Sequence, residues 1–310
     1  FEDREGNIWA GSRGTGLHRL RRHLIHNLTT ADGLPHALAW AVTESIDGTV
    51  WIGTDGGLAY VRAGRVRHFT EAEGLPPGVV TTVASAPDGT VYAGTPGRGI
   101  WKIRGDRAVK LDIPEALGAN LNHVFVDRDN QLWLSNARGM LVVQGQTVVR
   151  RYTKAEGLPA NSTRSVSQGK EGTIWAATSK GIVRLRGGEM TVFGASQGLL
   201  TASIRSVTHG ADGTVWAATQ GGGVCRLEGE NFRCYGTAQG LGDPDIYSAL
   251  PDRFGFLWLT TANGLFRVPQ ADFDRVRDGT AREVSVFRLG QADGMGTDSC
   301  TGGIQPAAHI

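Results

Sequence analysis

The sequence has no run approaching the roughly 18 consecutive apolar residues of a membrane span, so no segment of it is expected to enter a bilayer. It also has little net charge. Against 32 lysines and arginines stand 30 aspartates and glutamates, which leaves +2, too weak a field to argue for nucleic acid or an acidic membrane surface. The one basic stretch, His18 to His26, reads as a solvated outer hairpin. No secretory leader is visible, and the chain begins at Phe1, which suggests a piece of a longer protein. Catalytic signatures are missing too. There is no G-x-S-x-G, no phosphate loop and no dinucleotide fingerprint in a βαβ setting. The eight histidines show no zinc spacing, and no carboxylate pair suggests an acid and a base. No catalytic residue, metal or cofactor is therefore expected.

Glycine, by contrast, is abundant, with 45 residues in a chain of 310. Without a collagen period, that points to many tight turns and hence many short strands. No sustained 3.6-residue period argues for helices.

Internal repetition decides the expected fold. Trp9, Trp51, Trp133, Trp175, Trp216 and Trp258 are separated by 42, 82, 42, 41 and 42 residues. Halving the gap of 82 lands near Tyr92, which gives seven units of about 41 residues. Four residues before each aromatic sits a turn, such as Asp47-Gly48, Asp88-Gly89 or Asp212-Gly213. Asp-Gly between apolar runs is a strong hairpin signal. Two residues after the aromatic comes a small residue, then a short polar one, usually Thr. A Gly-aliphatic pair follows, as in Gly57-Leu58 or Gly181-Ile182, then another turn and strand. Most units close with a Gly-Leu-Pro-like loop, such as Gly74-Leu75-Pro76. Each unit thus predicts four short antiparallel strands, A to D. The B strands are continuous apolar runs, such as Val50-Trp51-Ile52, and so should be covered on both faces. Sheets covered on both faces and repeated about an axis make a propeller. The expectation is an all-β, seven-bladed β-propeller of four-stranded antiparallel blades, one domain over residues 1–310. The first unit lacks most of its own strand A, so Ile304 to Ile310 is expected to dock beside residues 6–12 and close the ring. Pro269 to Glu283 reads as a solvent-exposed excursion between strands C and D of the last unit.

Two positions carry candidate chemistry. Cys225 and Cys234 fall on strands C and D of one hairpin. A turn centred between Gly229 and Glu230 places them opposite each other, within disulfide range. In an oxidising compartment they can pair; otherwise they are two free thiols on an outer hairpin. The second is a ring at the start of the A strands, eleven residues before each aromatic: Trp40, Thr81, Asn122, Arg164, Arg205 and Tyr247. These should stand at the mouth of the central channel. Arginines and aromatics together suit a polar or anionic ligand such as an acidic sugar. The B–C loop tips add Arg13, Asp55, Arg98, Arg138, Lys180 and Asn263. The plain alternative is that these side chains satisfy rim backbone and water.

Units such as "EDREGNIWAGS…GLHRL" and "DGTVWIGTDGGLAYV…HFTEAEGLP" resemble the two-component regulator propeller repeat, and the resemblance covers essentially the whole chain. The segment "DSCTGGIQPAAHI" resembles the last propeller segment before the immunoglobulin-like connector of that family. Unit three departs from the pattern, with Tyr92 for Trp and Ala116-Leu117-Gly118 for Gly-Leu-Pro. The resemblance implies an extracytoplasmic, periplasmic sensor of a membrane-anchored signalling protein with a histidine kinase or cyclase output. It implies as partners a small-molecule or oligosaccharide ligand, an adjoining propeller and the connector domain, with a homodimer allowed. Nucleic acid and direct membrane contact are not expected. The alternatives are a protein-interaction platform and an enzyme of the streptogramin-lyase kind.

Overall fold

The Asp-Gly turns are built as the sequence suggests. The Asp47, Asp88 and Asp212 carboxylates each accept from the backbone N–H two residues on, at Thr49, Thr90 and Thr214. Gly48, Gly89 and Gly213 take φ of 76°, 79° and 92°, which costs glycine no steric energy. In the computed structural model, residues 8–12, 16–20, 25–116, 121–302 and 306–309 are described. One unit shows the plan. Its strands Thr163–Gln168, Ile174–Thr178, Gly181–Arg186 and Glu189–Phe193 pair in sequence order, all antiparallel. Every residue of Ile174–Thr178 is buried, which explains its unbroken apolar character. The outermost strands are the wettest, as in Arg65–His68.

The recurring short polar residue after strand B has a structural use. Thr54, Thr178, Thr219 and Thr261 are buried, and each hydroxyl donates to the carbonyl of the Gly that opens strand C. The Gly-Leu-Pro loops are likewise more than turns. A one-turn 3-10 helix precedes most of the loop glycines, as at Glu71–Glu73 before Gly74 and Ala195–Gln197 before Gly198. Thr70 and Glu73 form a capping box there. The following Leu75, Leu158, Leu199 and Leu241 are buried anchors.

The blade count is a correction. The described residues form six four-stranded antiparallel sheets, spanning 39–68, 82–110, 121–152, 163–193, 204–235 and 248–289. The first unit supplies only a two-stranded pair, Ile8–Ser12 with Gly16–Leu20. Seven four-stranded blades are therefore not what the chain builds. The repeat count treats a partial unit at the N-terminus as a whole one, but residues 25–29 form no strand D. The expected closing strand is also not seen as a strand. Residues 303–305 and 310 lie outside the described residues, as do residues 6 and 7 beside which it was expected to dock. Residues 306–309 carry no ladder, and Pro306 has no N–H to give one. Its carbonyl instead accepts from Val42 N at 2.9 Å, on the innermost strand of the second unit. A cavity of about 770 Å³ lies between the last sheet and that second unit, lined by Leu28, Val42, Leu250, Trp258, Leu265, Cys300 and His309. Trp258 and Leu265 are only partly buried there, whereas their counterparts Trp216 and Val224 are fully buried.

The insertion after Pro269 is a partial correction. The segment does lie between strands C and D and is exposed over most of residues 275–283, but it also carries a helix, Gln270–Arg277, whose Phe273 is fully buried. The Phe273 ring lies 4.9 Å from both Trp216 and Tyr235, on the preceding blade. The Tyr235 hydroxyl donates to the Phe273 carbonyl at 3.2 Å. Asp272, also buried, accepts from Ser285 N and pairs with Arg275. The alternating charges lie on the outer side of a helix that covers the blade-to-blade seam.

Candidate functional site

The six innermost strands stand around an axial cavity of about 260 Å³. They are Ala39–Glu44, Thr82–Ser85, Leu121–Val126, Thr163–Gln168, Ile204–His209 and Ser248–Pro251. Their inward edges have no ladder partner. Side chains of the preceding blade serve instead. The Thr82 hydroxyl accepts from Val124 N at 2.9 Å, and His123 Nδ1 accepts from Val166 N at 3.0 Å. The Ser206 and Thr208 hydroxyls donate to the carbonyls of Tyr247 and Ala249. Ser167 Oγ and His209 Nε2 meet at 3.0 Å. The lining of the hub is mixed: Thr43, Ser85, Ser165, Ser167, Ser206, Thr208 and Ser248 alternate with apolar residues such as Val83, Phe125, Val166, Val207 and Leu250.

Both hub histidines are neutral at physiological pH. Burial lowers the His123 pKa from 6.5 to about 3, and Nδ1 accepting from Val166 N fits the neutral ring. Burial, assisted by the nearby Arg128 charge, lowers the His209 pKa to about 4. Neither belongs to a cluster of metal-ligating groups, and no such cluster occurs among the described residues.

Most of the six sequence-derived mouth residues share one backbone feature. On four innermost strands the register slips by one: between Ala39 and Ala41, Leu121 and His123, Thr163 and Ser165, and Ile204 and Ser206. The extra residues are Trp40, Asn122, Arg164 and Arg205. Thr81 N donates to Gly94 O, although Thr82 is the register partner of Gly94. Tyr247 N donates to Thr260 O, the partner of Ser248. Four of the six are thus the extra residue of a β-bulge, and Thr81 and Tyr247 stand immediately before their strands, tied to the partner strand by their N–H groups. A bulge re-aims a side chain off the sheet face, and here it does so at the start of four hub strands.

The structure joins some of these six and not others. Asn122 Nδ2 donates to Thr163 O at 2.7 Å, one residue before Arg164. Arg164 Nη1 reaches Ser203 Oγ at 3.0 Å and Ile204 O at 3.3 Å, just before Arg205. The Arg205 guanidinium lies 5.8 Å from the Tyr247 ring centroid. Each side chain thus leans onto the next blade. Gly302 sits so close to the Tyr247 ring that a Cβ would strike it. Trp40 instead stays on its own blade, donating to the Asp55 carboxylate at 2.6 Å. Thr81 is buried, and its hydroxyl has no partner. None of the six lines the axial cavity itself; they stand above residues that do.

Of the loop-tip set, Asp55 holds Trp40, Arg98 donates to Pro77 O at 2.7 Å, and Asn263 donates to Asp243 at 2.9 Å. Arg138 N binds the Asn136 side chain at 2.6 Å. Lys180 N binds Thr178 at 3.1 Å, and Arg13 lies outside the described residues. These are mostly local ties within the rim. Cys225 stands directly opposite Cys234 in the strand register, and the two are joined as a disulfide. Sequence reasoning missed the hydroxyl lining and the bulges. The signal was present as Ser, Thr or His ten residues before five of the aromatics, at Thr82, His123, Ser165, Ser206 and Ser248.

The fold and hub define a β-propeller with polar side chains gathered at one end of its axis. No protein-family model matches the chain, and no curated protein matches it. Among solved structures it is similar to the extracellular domain of a protein from B. thetaiotaomicron described as a hybrid two-component system. The TM-score is 0.77 at 19% identity, over 98% of this chain and 41% of that one. The extracellular domain of a protein from the same organism, described as a one-component system, gives a TM-score of 0.67 at 18% identity, over 93% of this chain and 41% of that one. Virginiamycin B lyase from Staphylococcus aureus gives 0.61 at 17% identity, over 84% and 89%. At such identities the likeness is one of fold. The extracellular domains agree with the resemblance carried by the repeats, and this chain spans 41% of their length. No helix among the described residues is long and apolar enough to cross a membrane.

Proposed function

We propose that this chain is the periplasmic ligand-sensing module of a larger, membrane-anchored bacterial signalling protein, and that it binds its ligand without transforming it. The observation that supports this reading is the recurrence of a bulge at one level of the hub, on four innermost strands, with Asn122, Arg164 and Arg205 each leaning onto the next blade. Hydroxyls interspersed with apolar residues in the cavity beneath them suit a ligand such as an oligosaccharide, which carries hydroxyls that donate and accept and apolar ring faces. Signal would pass to an adjoining propeller, a connector domain or a second copy of the chain. A lyase reading draws on fold likeness alone. A protein-interaction platform would use the blade edges rather than the hub.

The test is a melting screen of the chain against neutral and acidic oligosaccharides. A ligand that binds only the folded form at a hundred times its Kd adds about 2.7 kcal/mol, a rise of several degrees. That rise should vanish in Tyr247→Ala and Asn122→Ala. A ligand whose shift ignores all six mouth positions overturns the reading, as does a ligand recovered chemically altered.

A further inference from the structure

Among the described residues, most arginines elsewhere either pair with a carboxylate or, like Arg65, Arg107 and Arg253, stand exposed to water. Arg62, Arg104, Arg151, Arg184, Arg186, Arg226 and others each pair with a carboxylate within 4 Å. Arg267 lies among Phe256, Trp258 and Phe287, with the Asp252 carboxylate in electrostatic reach. Arg164 and Arg205 differ. Both are partly buried, and neither forms an ion pair among the described residues. The Arg164 guanidinium is lodged on Ser203 Oγ and on the carbonyl immediately preceding Arg205. Arg205 lies over Tyr247, and its Nε is buried without a partner. Burial, and then the Arg205 charge, push the Arg164 pKa below its ordinary value. The fold therefore holds two like charges close together, partly out of water, with unused donors and no anion beside them. The carboxylates nearest in sequence are engaged elsewhere: Glu156 accepts from Thr153 N, Glu171 pairs with Arg186, and Asp212 accepts from Thr214.

We infer that Arg164 and Arg205 together clamp one oxyanion, a carboxylate or a sulfate carried by the ligand. The inference rests on the reading of the mouth ring as the ligand site. A guanidinium presents five donors in a planar fork, which matches the oxygens of such groups. The anion would supply the charge that the pair lacks and acceptors for the idle donors.

The experiment uses the whole chain and four probes: glucose, glucuronate, glucose 6-sulfate and inorganic sulfate. Binding is followed by calorimetry and by the NMR signals of the arginine Nε–H groups in the wild-type chain. Glucuronate or glucose 6-sulfate should bind at least tenfold more tightly than glucose, with the stronger of the two identifying the carboxylate or the sulfate as the preferred source. Inorganic sulfate should move the Arg164 and Arg205 signals and leave the ion-paired Arg62 unmoved. Arg164→Gln and Arg205→Gln should each weaken the acidic probe about tenfold to a hundredfold, the usual effect of losing a charged hydrogen bond, and Lys at either place should restore part of it. Affinity for the acidic probe should fall as salt rises. If either Gln variant fails to fold, the wild-type NMR signals still decide the matter. Acidic probes that bind no tighter than glucose, or arginine signals that ignore all anions, overturn the inference. A neutral sugar that is lost in Tyr247→Ala but indifferent to the arginines overturns the clamp while leaving the ligand mouth standing. Silence of every probe at all six mouth residues removes both.

Discussion

The ring of Phe273 lies 4.9 Å from the indole of Trp216, and the two belong to different blades. Trp216 is more buried than Trp51, Trp133 and Trp175, and its Nε1 has no partner. In other units a Ser or Asp six residues earlier accepts that hydrogen, as Ser45, Asp127 and Asp252 do. Gly210 stands at that position here and offers no side chain. What Trp216 lacks in polar support it receives as apolar cover from the inserted helix. Phe273→Ala should therefore destabilise the fold by about 3–5 kcal/mol, the range for deleting a buried aromatic ring. Urea unfolding measures it; a loss under 1 kcal/mol would mean that the helix merely rests on the surface.

Stability should fall with acid in a window that belongs to the hub histidines. Their pKa values in the folded state are depressed, to about 3 for His123 and about 4 for His209, from 6.5 in the unfolded chain. Above pH 6.5 neither state binds the protons, so the neutral rings cost nothing extra. As pH drops below 6.5, the unfolded chain takes up protons that the hub refuses. Each histidine then removes about 1.4 kcal/mol per pH unit until its folded pKa is reached. Urea midpoints between pH 7.5 and 4.5 should decline accordingly. The slope should be shallower in His123→Gln, and an equal slope in that variant would count against the burial described.

Gly198 is required twice over. Its φ is 86°, and a Cβ there would run into the Phe232 carbonyl oxygen on the outer strand of the next blade. Gly198→Ala should cost about 1–3 kcal/mol through backbone strain, with further loss from the steric conflict. Gly187, with φ 57° but open space around it, isolates the first effect. Gly187→Ala should cost less than Gly198→Ala in a melting comparison, and equal losses would argue against the close approach.

The Cys225–Cys234 bridge should be chemically visible. Alkylation of the unfolded, unreduced chain should label Cys300 alone, and reduction should expose all three thiols. Breaking a loop this short costs about 2–3 kcal/mol by the chain-entropy account, so reductant should lower the melting temperature by several degrees. Three labelled cysteines before reduction would show the pair to be thiols.

Much of this architecture is legible in the sequence because each blade writes it with the same few residues. The Asp-Gly turns, the Trp of strand B and the Gly that opens strand C fix strand positions and the Cys225–Cys234 register without any coordinates. The mouth positions follow from a constant offset, yet the bulge that aims most of them does not, because an extra residue on one strand leaves no mark in composition. The hydroxyl hub is hidden for a related reason. Ser165 and Ser206 look like surface residues until the neighbouring strand edge that they face is known. The helix at Gln270–Arg277 was concealed by its charges, since one buried Phe273 and one buried Asp272 make no periodic stripe. The blade count failed at the chain's beginning, where a unit supplies two strands and the repeat pattern alone counts it whole.

The hub strands are tied to one another through Thr82, His123, Ser206 and Thr208 rather than through ladders. Away from the axis, the sheets are locked face to face by apolar clusters that run from one blade into the next, as Leu58, Val83 and Trp101 do. These polar ties between wedges gather at the narrow end, where water can compete for them. Substitutions at Thr82 or Thr208 should loosen that end first and leave the apolar faces of the wedges together.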